Sequence, residues 1–335
     1  MTISMPRRRA LGLLAMAPVA CCARAEPDIP RPPAPEQPIA QRGNGGAGAG
    51  TLLSGALKSG AVDAGTDTAF RIRKGDPVRG VRLHDLVTAA SPEWLLDCSP
   101  QGSLEDAMIE RVAARCGRGC IRIRGTSARV LVRDVQAGGS VIRDRRRLPG
   151  GMVLSGDASD ITIERVSMSG FRSQWADDRY WNGDGFATER GNRRIVIRDC
   201  SAIDNTDGGF DMKAADSQFA GINLAQGNAR NFRFWSSWEA ATLVSLEPVR
   251  RGGRGGRAHF GIYGKQAEPR TLRIERLVAR AAGDNRAPLF KVEATGPVTV
   301  IVGSHDLALP PGTPLLDKVD DAAVEFVWHS GEPRL

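Results

Sequence analysis

Related phrases recur at an interval of 23 residues in the middle of this chain of 335 residues, counted from residue 182 to residue 205. Asn182-Gly183-Asp184-Gly185-Phe186 is followed by Asn205-Thr206-Asp207-Gly208-Gly209-Phe210, and a weaker copy follows at Asn228-Ala229-Arg230-Asn231-Phe232. A repeat of this length indicates a solenoid, in which each repeat buries its apolar face against the next. The interval sets Asp184 against Asp207 and Thr188 against Asp211.

Short segments of alternating apolar and polar residues accompany this repeat. Examples are Ile161–Val166, Ile195–Cys200 and Leu272–Leu277. Such alternation predicts strands with one buried face, and 39 Gly suit the many tight turns that short strands require. We therefore predict one all-β domain over residues 51–335, a parallel β-helix. An all-β sandwich is the alternative, but it would not require the turn phrases to recur in register.

Residues 103–116 predict a short N-terminal capping helix. Ser103 and Asp106 form a start that resembles a capping box, and apolar residues recur at helical spacing from Leu104 to Cys116. Such a helix would cover the open end of a solenoid, so we assign residues 51–119 to an N-terminal capping region.

The N-terminus is typical of an exported protein. Residues 1–25 predict a signal peptide with a basic segment at Arg7–Arg9, a short apolar segment and an Ala23-Arg24-Ala25 cleavage site. The apolar segment is too short for a permanent membrane span, and residues 26–50 form a linker rich in Pro and Gly. We expect a periplasmic or secreted protein; a twin-arginine signal and lipidation at Cys21 or Cys22 remain alternatives.

Export constrains the cysteines. Four of them follow the signal peptide, at positions 98, 116, 120 and 200. An oxidising compartment permits a disulfide, for which Cys98 with Cys116 or Cys120 is the expected pairing. The spacing of Cys and His does not match a zinc site.

The formal net charge of +8 indicates either a solubilising scatter of surface arginines or an anionic partner. Export disfavours nucleic acid and favours an acidic polysaccharide. The sequence leaves the oligomeric state open, with a monomer expected.

One coil is longer than the repeat. Ile161 and Ile195 are 34 residues apart in number, and most of the excess falls in Arg172–Tyr180, which contains Trp175. Such a loop could form the wall of a binding groove. A second register, from Gly191 to Gly227, would stack Arg230 on Arg194.

The repeat brings Asp184, Asp207 and Asp211 to one side of adjacent coils. Carboxylates that lie close together disfavour each other's ionisation unless a cation neutralises them, and Ca²⁺ prefers such oxygen ligands. The alternative is that these residues serve only turn geometry. Asn182 and Asn205 are expected to form a hydrogen-bonded ladder inside the turns.

Several cations and aromatic residues accompany the carboxylates. Lys213 lies two residues after Asp211 and shares its face in a regular strand. Arg190 and Arg233 are expected to be ion-pair partners of the cluster. A role in substrate binding, together with Trp235 and Trp175, is the functional alternative.

The central phrases resemble the calcium-site region of family 9 pectate lyases. The resemblance covers Asn182–Ala187 and Cys200–Asp211, about 50 residues in all with their surroundings. It implies a right-handed, single-stranded parallel β-helix of the pectin-lyase-like class, with Asp184, Asp207 and Asp211 as calcium ligands. Gly208 replaces a second Asp of the family pattern, and residues 231–246 lack the family's catalytic Lys. Residues 205–208 also resemble the Asn-Thr-Asp motif of polygalacturonases, whose other phrases are absent.

These features predict an exported, Ca²⁺-dependent polysaccharide lyase that acts on a uronate-containing polysaccharide by β-elimination. Lys213 would remove the proton and Arg230 would hold the substrate carboxylate or stabilise the enolate. Two alternatives remain: a non-catalytic glycan-binding protein, and a glycoside hydrolase that uses Asp207 and Asp211.

Overall fold

The computed structural model describes residues 29–37, 51–52, 57–62, 67–75, 77–88, 90–175, 180–253, 255–319 and 321–335. The predicted signal peptide and most of the predicted linker lie outside the described residues, as do residues 176–179 of the long loop.

The described chain consists of strands joined by turns and contains no helix. The strands are β1 Thr51–Leu52, β2 Leu57–Val62, β3 Phe70–Ile72, β4 Val78–Arg79, β5 Arg82–Thr88, β6 Trp94–Cys98, β7 Leu104–Arg115, β8 Gly119–Ile123, β9 Ala128–Gly138, β10 Val141–Ile142, β11 Gly150–Leu154, β12 Ser159–Ser169, β13 Arg172–Ser173, β14 Asp184–Thr188, β15 Arg193–Arg198, β16 Ser201–Ile203, β17 Gly208–Met212, β18 Gln218–Gln226, β19 Arg230–Phe234, β20 Trp238–Leu246, β21 Ala258–Gly264, β22 Arg270–Arg280, β23 Phe290–Ala294, β24 Val298–Ala308, β25 Leu316–Lys318 and β26 Val324–Trp328. Accordingly, none of the described residues belongs to a helix that could cross a membrane.

These strands form two long parallel sheets. Sheet 1 has 11 strands in the order β1-β3-β6-β8-β11-β14-β17-β19-β21-β23-β25. Sheet 2 has 13 strands in the order β2-β5-β7-β9-β12-β15-β18-β20-β22-β24-β26 with β4 and β16 beside them, and β10 pairs with β13 in a small separate sheet. The chain therefore alternates between two sheets as it advances, which confirms the predicted parallel β-helix. A sandwich would pair its strands antiparallel.

A column of phenylalanine rings fills the interior behind sheet 1. Phe186 stacks on Phe210 at 4.8 Å between ring centroids, and Phe210 stacks on Phe232 at 5.1 Å. Phe260 and Phe290 continue the column at 5.4 and 5.5 Å. Because successive residues of a strand point to opposite faces, this column fixes Asp211 and Arg233 on the outer face of sheet 1.

The register differs by one residue from the sequence prediction. Phe186 pairs with Phe210, which sets Asp184 against Gly208 rather than Asp207, and Thr188 pairs with Met212 rather than Asp211. Arg230 pairs with Gly208, so the predicted stacking of Arg230 on Arg194 is wrong. The turn between these strands is one residue longer than the sequence interval suggests.

The long coil is confirmed, because Ile161 pairs with Ile195. Its extra residues begin with β13, which leaves the main sheets to pair with β10.

The predicted helix at residues 103–116 is wrong, because Leu104–Arg115 is the strand β7. Asp106 and Arg111 adopt left-handed backbone angles, with φ of 53° and 49°. Each adds one outward residue at a bend, so neighbouring buried residues are three apart from Leu104 to Ala107 and two apart from Ala107 to Ile109. This mixture of spacings imitates helical periodicity.

The same bend recurs in successive coils of sheet 2. Two columns of left-handed residues, here called the corner columns, alternate in charge. One contains Asp85, Arg111, Asp134, Arg165 and Asp199; the other contains Asp106, Arg129, Asp160, Arg194 and Asp216. An arginine in each column donates two hydrogen bonds to the aspartate of the preceding coil, as Arg165 does to Asp134. Arginine–aspartate ion pairs therefore join the bends of neighbouring coils, a feature that the sequence repeat does not reveal.

The predicted disulfide is wrong, because Cys98, Cys116, Cys120 and Cys200 are buried free thiols. The Cys98 thiol instead lies 3.6 Å from the backbone oxygen of Ser99, which accepts its weak hydrogen bond.

Candidate functional site

The candidate site lies on the outer face of sheet 1, where β14, β17 and β19 are neighbours. All residues of these three strands are buried, including those that point outward. The outward-pointing side chains are buried because they are polar groups that pack against one another in a compact cluster. We call Asp184, Asp207 and Asp211 the acidic triad.

Asp207 is held by three donors. Arg230 donates to one carboxylate oxygen at 2.5 Å, and Arg233 donates to the other at 2.5 Å. The Tyr180 hydroxyl also donates to the second oxygen. Both oxygens are therefore occupied, which leaves Asp207 a structural anion in this arrangement.

Arg233 lies between all three members of the acidic triad. Its guanidinium nitrogens are 2.5 Å from Asp207, 3.4 Å from Asp211 and 3.9 Å from Asp184. Burial lowers the pKa of Arg233, but these carboxylates, Asp207 foremost, raise the pKa well above its ordinary value. Arg233 is therefore a permanent cation at the centre of the cluster.

Asp184 is the least compensated member of the triad. Burial raises its pKa well above the ordinary value, and the charges of Asp207 and Asp211 add to this effect. The backbone N–H of Gly208 donates to one Asp184 oxygen at 2.7 Å.

Lys213 follows Asp211 on the same face, as its sequence position predicts. Its ammonium group lies 3.1 Å from Asp211 and 2.7 Å from Glu189. Burial lowers the pKa of Lys213, but Asp211 and Glu189 together raise it further, so the net shift is upward. Lys213 is an ammonium ion in the resting site.

Aromatic rings cover these cations. The Trp235 ring centroid is 5.7 Å from the Lys213 ammonium, and its indole N–H donates to Asp211 at 2.6 Å. Tyr263 lies 5.3 Å from the guanidinium carbon of Arg233, and burial raises the pKa of Tyr263 to about 12. Such contacts favour cations over neutral side chains.

Tyr180 and Tyr263 are site residues that the sequence repeat does not predict. The chain contains only two Tyr, and both converge on Arg230 and Arg233. The rarity of Tyr was the only feature of the sequence that could have drawn attention to these two residues.

The basic glycine-rich segment of residues 250–257, which follows β20, also contacts the site at Gly255. A side-chain carbon at Gly255 would lie 2.5 Å from an Arg230 nitrogen, and one at Gly252 would lie 2.5 Å from the Trp181 ring. Their φ angles of 118° and 153° also favour glycine. Glycine thus allows this segment to pack closely over the cluster.

A groove of about 450 Å³ opens beside the cluster. It is lined by Arg190, Trp235, Tyr263, Gly264, Lys265, Gln266 and Glu293. Of the predicted substrate-binding residues, Arg190 and Trp235 therefore line the groove, and Arg233 lies among the triad in contact with the Trp235 and Tyr263 rings. Trp175 is not among the lining residues, and its buried indole N–H has no hydrogen-bond partner among the described residues.

The predicted asparagine ladder is present with different members. Asn205 donates to the side-chain oxygen of Asn228 at 3.0 Å, and Asn228 donates to that of Asn231 at 3.0 Å. Asn182 instead accepts a hydrogen bond from the neighbouring Gly183 N–H.

The residues of the triad do not fit a calcium ion in this arrangement. Donors occupy both oxygens of Asp207, both of Asp211 and one of Asp184. Ca²⁺ requires about 6–8 oxygen ligands at about 2.3–2.6 Å. Among the described residues, no group of three His, Cys, Asp or Glu side chains is arranged to hold a metal ion.

No protein-family model matches this chain, and no curated protein matches it. Among solved structures, the chain is similar to the crystal structure of pectate lyase Pel9A, with a TM-score of 0.45 and 10% sequence identity. The match covers 79% of this chain and 69% of that chain. The fold itself is assigned from the strand pairing described above.

Proposed function

We propose that this chain is an exported, carbohydrate-active β-helix protein that binds an acidic polysaccharide at the groove and cleaves it by β-elimination. One observation carries the proposal. Lys213 contacts the ring of Trp235, which lines a groove together with Tyr263 and the cations Arg190 and Lys265. Aromatic rings stack on sugar faces, and cations attract uronate carboxylates.

The proposed chemistry uses the residues of this chain alone. Lys213, once deprotonated, would remove the proton on the carbon next to the uronate carboxylate. The electron pair of that C–H bond would form a double bond as the C–O bond to the leaving sugar breaks, and the leaving oxygen would take up a proton. The guanidinium of Arg230 is buried against Asp207 and would hold that carboxylate in place, while the exposed groove cations Arg190 and Lys265 would donate to the substrate carboxylate.

The proposed elimination involves no calcium ion, because the triad does not fit the ion as arranged. Calcium binding by Asp184, Asp207 and Asp211 stays a prediction from the sequence, and the donors on these carboxylates argue against it.

A non-catalytic glycan-binding protein is the second candidate. It is favoured by the two carboxylates that hold Lys213 as an ammonium ion. A hydrolase that uses Asp207 and Asp211 is less well supported, because Arg230 and Arg233 occupy both oxygens of Asp207.

The test is incubation of the purified protein with pectate, alginate and glucuronan. Rising ultraviolet absorbance from unsaturated products supports elimination. Lys213→Ala should abolish that signal, whereas Lys291→Ala should retain it. Lys291 is a matched control because it is similarly buried on sheet 1 and pairs with two carboxylates, Glu293 and Asp317.

The other candidates predict different outcomes. Binding without any product would support the non-catalytic protein. New reducing ends without ultraviolet absorbance would indicate hydrolysis. Neither binding nor product across the three polymers would reject the proposed substrate class.

A further inference from the structure

The acidic triad encloses a guanidinium group instead of an open space. Arg233 reaches all three carboxylates within 3.9 Å, and its side chain is only 10% exposed. Asp207 and Asp211 are more deeply buried, with side chains 2% and 5% exposed. Buried carboxylates at this spacing stay ionised only with a cation among them, because their mutual repulsion is weakly screened inside a protein.

The side chains of the cluster supply most of its charge compensation. Asp184, Asp207, Asp211 and Glu189 supply four formal negative charges, and Arg230, Arg233 and Lys213 supply three positive charges in contact with them. A divalent ion added to this arrangement would leave an excess of positive charge. It would also have to displace donors from oxygens that already accept hydrogen bonds.

The strand register places the guanidinium there. Arg233 pairs with Asp211 across β17 and β19, so it lies directly over that carboxylate in the next coil. Position 208 has no side chain, and a Cβ there would lie 2.6 Å from an Asp184 oxygen and 3.5 Å from Cδ of Arg233. Gly208 therefore leaves the space through which Arg233 reaches Asp184.

We propose that Arg233 is the resident cation of the acidic triad, so the native protein does not bind calcium there. Removal of this guanidinium leaves two cations facing four carboxylates and opens the space that Arg233 fills between them, which turns the triad into a divalent-cation site. This inference does not depend on whether the protein cleaves a polysaccharide.

Calorimetric titration with CaCl₂ and thermal unfolding with Ca²⁺ or EDTA test the inference. The native protein should give no binding heat at this site, and its Tm should be the same in Ca²⁺ and in EDTA. Arg233→Met keeps the apolar stem but removes the charge. It should bind Ca²⁺ with a Kd of about 10⁻³ M or tighter, in the range of extracellular calcium modules, and Ca²⁺ should raise its Tm.

Two further variants make the test specific. Arg230→Met removes a cation of equal length and similar burial but leaves Arg233 among the carboxylates, so it should remain insensitive to Ca²⁺. Asp184→Asn in the Arg233→Met background should weaken Ca²⁺ binding at least about tenfold, because a charged ligand is lost.

The inference is overturned if the native protein binds Ca²⁺ and Asp207→Ala abolishes that binding. It is also overturned if folded Arg233→Met gives no calcium response. Should Arg233→Met fail to fold even in Ca²⁺, the native titration and Arg233→Gln provide the same decision.

Discussion

The corner columns of sheet 2 lead to a prediction with a built-in control. Asp134 and Asp106 have nearly the same left-handed backbone, with φ of 55° and 53°. Each accepts two hydrogen bonds from an arginine of the next coil, Arg165 at 2.7 and 2.9 Å and Arg129 at 2.6 and 3.0 Å. They differ in exposure: the first pair is 3% and 23% exposed, and the second is 50% and 55% exposed.

Substitution by glycine separates the backbone contribution from the contribution of the ion pair. Glycine removes the left-handed strain, which stabilises the protein by roughly 1–2 kcal/mol. Its greater loss of chain entropy on folding destabilises the protein by about 0.5–1 kcal/mol. Loss of a buried ion-pair partner costs about 3–5 kcal/mol, because it leaves an uncompensated charge. Glu164 still contacts Arg165, which favours the lower end of this range. Asp134→Gly should therefore destabilise the protein by about 2–3 kcal/mol.

Asp106→Gly should leave the stability unchanged or slightly raised, because water replaces the exposed partner while the strain is relieved. Urea unfolding followed by circular dichroism measures both variants against the native protein. Equal losses for the two would refute the reasoning, since burial would then not decide the value of the pair. A stabilising Asp134→Gly would refute it as well.

Three further outcomes follow from the core and the site. Burial lowers the pKa of His259 to about 3, so the unfolded state binds a proton that the native state rejects. Stability should therefore fall by up to about 1.4 kcal/mol per unit as pH drops from about 6.5 towards 3; His259→Gln should flatten this slope in acid unfolding, and His305→Gln should not. Phe210→Ala, in the middle of the ring column, should cost about 3–5 kcal/mol in urea unfolding, and a loss below about 1 kcal/mol would contradict the packing described. If Lys213 is the base, its raised pKa requires the elimination rate to increase with pH through the neutral and mildly alkaline range. Glu189→Gln should shift this pH–rate profile to lower pH. An unchanged profile would show that the ion pair with Glu189 does not raise the pKa of the base.

The sequence predicted the fold from features that are local to each coil. Alternating apolar residues such as those of Ile161–Val166 define strands, and recurrent Asn and Gly define turns. Stacking is the way such units bury their apolar faces. The helix prediction at residues 103–116 failed for a local reason as well. Left-handed aspartate and arginine residues add an outward position at each bend, and nothing in the residue type alone announces that conformation.

The sequence predicted which residues lie in the cluster but not which of them contact one another. Asp184, Asp207, Asp211, Lys213, Arg230 and Arg233 all lie in one cluster, as their positions near the repeat suggest. Their partners depend on register. A shift of one residue sets Asp184 against Gly208 and places Arg233 over Asp211. Tyr180, at the end of the long loop, also contacts the cluster, and no sequence repeat indicates this position.

The sequence by itself determined that the coils stack and which side chains point outward, because strand period and turn residues are properties of neighbouring positions. Only the tertiary structure decided which charged side chains form ion pairs. Coil length varies from turn to turn, and a difference of one residue changes every contact on the outer face. The acidic triad therefore appears in the sequence as a set of metal ligands and in the structure as the surroundings of Arg233. Electrostatic partners are determined by distances of a few ångströms, which the order of residues does not specify.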